Sequence, residues 1–418
     1  MCADIKDVYK RQGQYDMIKN NAFKPIGKGQ IMETQKREAG KERQANLELL
    51  RIFSMLMIVM MHLLNHGKIL ETTARGSISY YLVWILFGIS FVSISTYILI
   101  SGYFLCEASF SFRRILKLEG QVWFYSVALY LASLLLLRQP FDMSSLIAAV
   151  FPVLSCEYWF VTMYVGMIVL SPFLNKLLTG LTQRQFRLLL GILFVLFSLW
   201  PNVFFFSPAL NFGGGSGVVW FTTVYLSGAY LKRFYRPDGK FGRHLLHFFG
   251  AALLIPASRF LIELLLSTPL GKIGFLQDLM WGYSIFYEYN SVLVFAAAIL
   301  LFIAFLNLQI KPGRLQRMIL AAAPLSFGVY LLHDNPNVRG FVLETLNPSR
   351  LAGVWYLVPG VLLLAAAVFV VCALTEWLRK MIASLPARLR KKNTVSRPGF
   401  SERACAALDE KLFRQNEM

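Results

Sequence analysis

Charge is scarce in this chain of 418 residues, with only 16% Asp, Glu, Lys and Arg, against roughly 25% in an ordinary soluble protein. Acidic groups are the scarcer kind: 23 Asp and Glu stand against 42 Lys and Arg, a formal charge of +19. Cysteine is rare as well. Cys2, Cys106, Cys156, Cys372 and Cys405 are scattered, without CxxC or another metal spacing, so neither a zinc ribbon nor a disulfide framework follows. Residues 1–45 lack an apolar h-region, which argues against a cleaved secretory signal. No internal repeat and no segment fit for a separate soluble core stands out. What is abundant is apolar: 56% of residues are hydrophobic, 35 of them Phe, and the mean hydropathy is +0.53. That balance excludes a large soluble globule and describes a polytopic membrane protein.

A helical crossing needs about 20 mostly apolar residues. Ten such runs recur, near 47–65, 80–105, 120–137, 158–176, 186–206, 216–233, 244–266, 290–308, 324–341 and 353–377. The stretch 144–155 is too short and reads as a surface or re-entrant segment. Of the 42 basic residues, 34 fall in the two termini and alternate loops. Only six, Lys68, Arg75, Arg138, Lys272, Arg339 and Arg350, fall in the opposite loops. Basic residues gather in cytoplasmic loops, and one misplaced crossing would scramble the alternation. The expected fold is therefore an all-α membrane protein, a bundle of about ten transmembrane helices with both termini cytoplasmic. Residues 1–45 are expected to form a basic, disordered cytoplasmic tail, 46–378 the membrane domain and 379–418 a second basic tail. In that second tail Leu389-Arg390-Lys391-Lys392 is suited to anionic headgroups. Charge spread over one membrane face, facing a lipid bilayer, also argues against nucleic acid as a partner.

The chemistry-bearing residues begin in the first run, where Arg51 and His62 stand eleven residues apart. At about 3.6 residues per turn they share a face, separated by about 16 Å along the axis. Only Glu48, three residues before Arg51, offers local compensation. Ionisable groups inside a membrane helix are costly, so they face a bundle interior or a wet cavity and mark function. A buried neutral imidazole bonded to a neighbouring helix is the structural alternative for His62. Its chemical alternative is a general base, since imidazole titrates near neutrality. His66 lies one turn further on and invites a metal, but no acidic or Cys third ligand is spaced nearby, so no metal is expected.

After the second run come Arg113, Arg114 and Lys117, which serve either as ordinary cytoplasmic anchors or as a phosphate clamp. Arg114 and Lys117, three apart, share a helix face, and Arg grips phosphate bidentately. His333-Asp334 in the ninth run precedes Asn335-Pro336, and Pro kinks a helix and frees a carbonyl. The polar pair either satisfies that kink or walls an active cavity. Glu157 and Trp159 begin the fourth run at the outer side. Trp there suits the interfacial belt, while Glu157 either contacts an acceptor or is solvated. Arg259 and Glu263, four apart, read as a structural ion pair. Gly213-Gly214-Gly215-Ser216-Gly217 follows no strand and reads as a flexible outer rim rather than a phosphate cradle.

Taken together, five motifs resemble the acyltransferase family 3 of membrane proteins. They are the Arg51-to-His62 spacing, Ser101-Gly102-Tyr103-Phe104-Leu105, and the basic loop after it. Tyr158-Trp159-Phe160-Val161-Thr162-Met163-Tyr164-Val165-Gly166 with Leu170-Ser171-Pro172-Phe173-Leu174-Asn175 is the fourth, and Leu325-Ser326-Phe327-Gly328-Val329-Tyr330-Leu331-Leu332-His333-Asp334-Asn335 the fifth. The resemblance runs from about 44 to about 378. It implies O-acyl transfer, commonly of acetyl, from cytosolic acyl-CoA to a hydroxyl of an extracytoplasmic glycan, in a multi-pass plasma-membrane protein of bacterial type. It gives His62 the catalytic role with Arg51 as its partner, and places an Arg-x-x-Arg element on Arg114 and Lys117. Here Lys stands second and Arg113 precedes the first, so the planar fork is lost at one place. His333, Asp334, Glu157, Trp159 and Tyr164 are the substrate-binding candidates. Acyl-CoA is expected as a donor substrate, with no permanently bound cofactor. A transporter or flippase for a lipid-linked or polar solute is the rival reading, since intramembrane charges fit that class too.

Overall fold

The structure, a computed structural model, describes residues 44–205, 210–280 and 284–390. Residues 1–43 and 391–418 of the expected tails lie outside the described residues, Lys391 and Lys392 included, while 379–390 continue the last helix. Helices α1 (Ala45–Asn65), α2 (Ile78–Leu105), α3 (Phe112–Leu135) and a short α4 (Met143–Val150) come first. Next are α5 (Trp159–Thr179), α6 (Gln183–Phe194, prolonged by a π turn to Val203), α7 (Val218–Phe234) and α8 (Phe241–Leu266). The chain closes with α9 (Val292–Leu306), α10 (Arg314–Ala322), α11 (Ser326–His333), α12 (Pro336–Leu346) and α13 (Leu357–Arg390). No strand occurs among the described residues.

Among the described residues, seven helical segments are long and apolar enough to cross a membrane, at 45–65, 78–105, 159–179, 183–203, 241–266, 314–333 and 357–385. α9 is a shorter apolar helix, and α3 and α7 stand at the two remaining expected positions. The charged residues Arg113, Arg114, Lys117 and Glu119 in its first turns keep α3 from reading as purely apolar. The protein is thus an all-α polytopic membrane protein. α4, eight residues long and capped by the Asp142 carboxylate on the Ser145 N–H (2.7 Å), does not cross.

α2 is the central helix and packs against α1, α7, α8 and α9. Three of its hydroxyls turn onto their own backbone: Ser90, Ser93 and Thr96 donate to the carbonyls of Leu86, Ser90 and Val92. These three polar groups thereby sit in an apolar crossing without demanding a partner from another helix. Gly102 and Gly228 let α2 and α7 touch backbone to backbone. A Cβ on Gly102 would lie 2.1 Å from the Tyr225 carbonyl oxygen, and one on Gly228 2.4 Å from that of Leu99.

The ninth crossing differs from its expected bounds. It runs over α10 and α11, 314–333, so His333 stands at a helix end rather than mid-span. Asn335, extended at φ −64 and ψ 125, then caps a separate helix with Pro336 in its first turn. The break is satisfied internally. Asn335 Nδ2 donates to the Tyr158 hydroxyl at 2.6 Å, and that hydroxyl donates to the Leu331 carbonyl at 3.0 Å. The glycine loop is likewise tied down, since the Gly214 carbonyl accepts from the Tyr289 N–H at 2.9 Å and a Cβ at Gly215 would meet Asn290 N at 2.5 Å. Arg259 and Glu263 pair at 2.9 Å, with the guanidinium over the Trp84 ring.

The α7–α8 turn carries a compact polar knot. Asp238 accepts from the Lys240 N–H, and from Arg243 and His244 at 2.9 Å each, while Asn307 Oδ1 accepts the Asp238 and Gly239 N–H groups. The Lys240 N–H and then His244 hold the Asp238 carboxyl below its ordinary value of 3.8. A carboxylate depressed in the folded state stabilises above its unfolded value and loses that contribution as pH falls through the folded one. Asp238→Asn is therefore expected to lower the thermal midpoint at neutral pH, with the gap closing in strong acid. An equal gap at all pH values counts against the ionic account.

Candidate active site

Three elements bring separate polar residues together at one end of α1. α1 presents His62 in its last turn, α11 ends on His333, and the break after it turns Asp334 toward the same place. His62 Nδ1 lies 3.0 Å from His333 Nε2 and 3.4 Å from Asp334 Oδ1. The first turns of α12 return Arg339, whose Nη1 stands 2.7 Å from Asp334 Oδ1 and 3.4 Å from His66 Nε2. The guanidinium compensates a carboxylate that is only 9% exposed.

The hydrogen bonds fix the tautomers. The Val329 carbonyl, 2.7 Å from His333 Nδ1, can only accept, so that nitrogen carries the proton. His333 Nε2 in the neutral ring is then an acceptor, and His62 Nδ1 donates to it. His62 Nε2 is left with its lone pair free. The side chain is 13% exposed, and His66 beside it is exposed. An imidazole so oriented can take a proton, and Asp334 stands close enough to stabilise the cation that forms.

A second polar site opens at the opposite end of α1, on the face where basic residues cluster. A cavity of about 330 Å³ is lined by Arg51, Tyr97, Ser101, Arg114, Lys117, Gln121 and Tyr164, with Phe104, Phe160 and Phe327 among its apolar walls. Arg51 bonds Glu48 at 2.8 Å, and Tyr164 and Ser101 hydroxyls stand 3.0 Å apart. Arg113, exposed, lies outside this lining. Arg51 and His62 therefore serve different spaces, and His62 does not line this cavity. Between the two sites stand Phe160 and Tyr330, ring centroids 5.9 Å apart, with Tyr330 6.2 Å from the His333 ring.

Of the other candidates, Glu157 is held by Ser126 at 2.5 Å and Asn337 at 3.1 Å, which joins it to α12 beside the histidines rather than leaving it solvated. Trp159 stacks on Tyr289 at 5.5 Å. Tyr164 belongs to the basic cavity and not to the outer end. The fold also supplies the acidic neighbour that sequence spacing lacks: His62, His66 and Asp334 present ligand atoms within 4.8 Å of one another. Arg339 already places a cation between Asp334 and His66. A third space, an apolar groove of about 440 Å³ between α3, α12 and α13, has His333 in its wall.

Two residues of weight escape the sequence reading. Arg339 looks there like one of six outer basic residues. Glu376, fully buried, accepts from Tyr125 (2.6 Å), Gln121 (3.2 Å) and Arg379 (2.7 Å), and Gly328 lies so close that a Cβ would stand 2.5 Å from its side chain. A lone carboxylate inside the last apolar run was the available signal. By holding Gln121, Glu376 braces one wall of the basic cavity.

Comparison with curated proteins and with solved structures returns no match. A family model described as an acyltransferase domain matches residues 44–377, which takes in the inner cavity, the histidine cluster and all the helices that carry them. The chain accordingly belongs to the acyltransferase family 3 of membrane proteins.

Proposed function

We propose that this membrane acyltransferase moves an acetyl group from cytosolic acetyl-CoA to a hydroxyl of a glycan on the outer side of a bacterial plasma membrane. The observation that carries the reading is the free Nε2 of His62, set by the chain Val329–His333–His62. The basic cavity supports a CoA donor: Arg114 and Lys117 offer charge-assisted bonds to phosphates, and Arg51 lines the way inward. A pantetheine arm suits the distance of about 16 Å that separates Arg51 from His62 along α1. Cavity and histidine cluster at opposite ends of α1 suit a donor from one side and an acceptor from the other. Glu157 and Trp159 lie on the acceptor side, whereas Tyr164 lies on the donor side. Membership in an acyltransferase family favours catalysis over transport.

In the step itself His62 Nε2 takes the proton of the acceptor hydroxyl as its oxygen attacks the thioester carbon. His333 holds the imidazole in place and Asp334, compensated by Arg339, faces the cation. Collapse expels the thiolate, which takes the proton back from His62.

Labelled acetyl-CoA given to the cytosolic face of inside-out membrane vesicles is expected to label glycan only where the protein is present. Labelling equal to that of vesicles without the protein ends the reading. Arg114→Ala and Lys117→Ala are each expected to raise the KM for acetyl-CoA about tenfold with kcat retained, because both states of the reaction lose the same phosphate contact. A fall in kcat at unchanged KM would remove these residues from donor binding.

A further inference from the structure

One buried polar atom in the region between cavity and histidines has no structural task. Tyr330 is 4% exposed, and its hydroxyl finds no hydrogen-bond partner among the described residues. Buried hydroxyls are normally paired, and each exception calls for a reason. The neighbouring Tyr158, ring centroid 5.8 Å away, shows the ordinary case, since its hydroxyl both donates to Leu331 and accepts from Asn335. Phe would fill the Tyr330 ring position without an orphaned donor, in a chain that holds 35 Phe.

Its place suits a donor held in reserve. Tyr330 precedes His333 by three residues on α11, and its ring lies between those of Phe160, in the wall of the basic cavity, and His333. A thioester carried from that cavity to His62 along these rings would pass Tyr330. We propose that Tyr330 is a catalytic residue whose O–H donates to the thioester carbonyl oxygen, forming an oxyanion site opposite the base. The inference rests on the acyl-transfer reading above. As the acceptor oxygen bonds to the carbonyl carbon, the C=O electron pair moves onto oxygen and the hydroxyl proton passes to His62 Nε2. The Tyr330 hydrogen bond shortens onto that oxyanion without transferring its proton. When C=O reforms, the C–S bond breaks and the thiolate recovers the proton from His62, leaving an ester and free CoA. A neutral phenol is suited to this, because a fixed donor in a dry site gains most when charge appears on oxygen.

Tyr330→Phe, in the full chain in membranes, is expected to lower kcat about 10²–10³-fold, the usual effect of removing one oxyanion donor, with KM for acetyl-CoA unchanged. Its thermal midpoint should match or exceed wild type, whereas Tyr158→Phe should lower it by removing two bonds. The carbonyl stretch of bound carbon-13-labelled acetyl-CoA should lie lower in wild type than in Tyr330→Phe. A wild-type kcat in Tyr330→Phe, a change in KM alone, or a marked loss of thermal stability each overturns the proposal, the last by showing a structural partner. Wild-type protein that transfers no acetyl group fails the functional reading instead, and the thermal comparison still decides whether the hydroxyl is committed to the fold.

Discussion

His62→Ala is expected to cut acyl-transfer turnover roughly 10²–10⁴-fold, the range general acid–base catalysis supplies. The free Nε2 of His62 is the proton acceptor this geometry favours, since His333 Nδ1 is committed to Val329 and Asp334 to Arg339. Steady-state transfer from labelled acetyl-CoA in isolated membranes measures it directly. His333→Ala supplies the contrast. It removes no base but releases the ring that holds His62 Nδ1, so the loss should be smaller and appear in kcat rather than in KM for the donor. Wild-type turnover in His62→Ala, with the protein folded, defeats the assignment. Equal losses in both variants would mean that orientation and proton transfer are one function.

The second large effect lies in packing. Gly102→Val is expected to destabilise the helix bundle by about 3 kcal/mol or more, above the usual range for overpacking, because backbone must move. A Cβ there would meet the Tyr225 carbonyl at 2.1 Å, and that oxygen belongs to α7 and cannot rotate away. The damage extends to function. Ser101, Phe104 and Leu105 beside it line the basic cavity, and Leu105 accepts from Asn175, whose Oδ1 takes the Tyr225 hydroxyl. The thermal midpoint of the detergent-purified protein should fall sharply, with KM for acetyl-CoA rising in whatever fraction stays folded. Gly250→Ala on α8 is the control, since nothing stands within 4 Å of its added methyl. A Gly102→Val protein as stable as the control would show that α2 and α7 are not in backbone contact.

Much of the site was legible because its members are anomalous where they stand. Arg51 and His62 interrupt an apolar run, and no ordinary core needs them there. Their helical spacing was readable too, but the inference that one face means one space was not secure. Phe160 of α5 and Tyr330 of α11 meet between the two sites, with Arg51 in the wall of the basic cavity and His62 outside it. Glu376 stood out as a lone carboxylate in the last apolar run, but neither its distant partners nor those of Arg339 were readable, for a related reason. Glu376 meets Tyr125 and Gln121 across 251 and 255 residues, and Arg339 meets His66 across 273. Locally each shows only an ordinary ion-pair neighbour, Arg379 for Glu376 and Asp334 for Arg339, and nothing marks these distant partners.

By itself the sequence determined the helical crossings, their approximate bounds and the sidedness of their charge. A helix in hydrocarbon must satisfy every backbone N–H and C=O within its own segment, so an apolar run of sufficient length dictates its own structure. Tertiary structure alone decided which polar groups meet. Helix rotation and depth follow from close approaches such as Gly102 against Tyr225 and from breaks such as Asp334-Asn335, where a shift of one residue turns a side chain by about 100°. That is why a lone histidine could be read as reactive from the chain, while the proton it lacks was settled only by a carbonyl on α11.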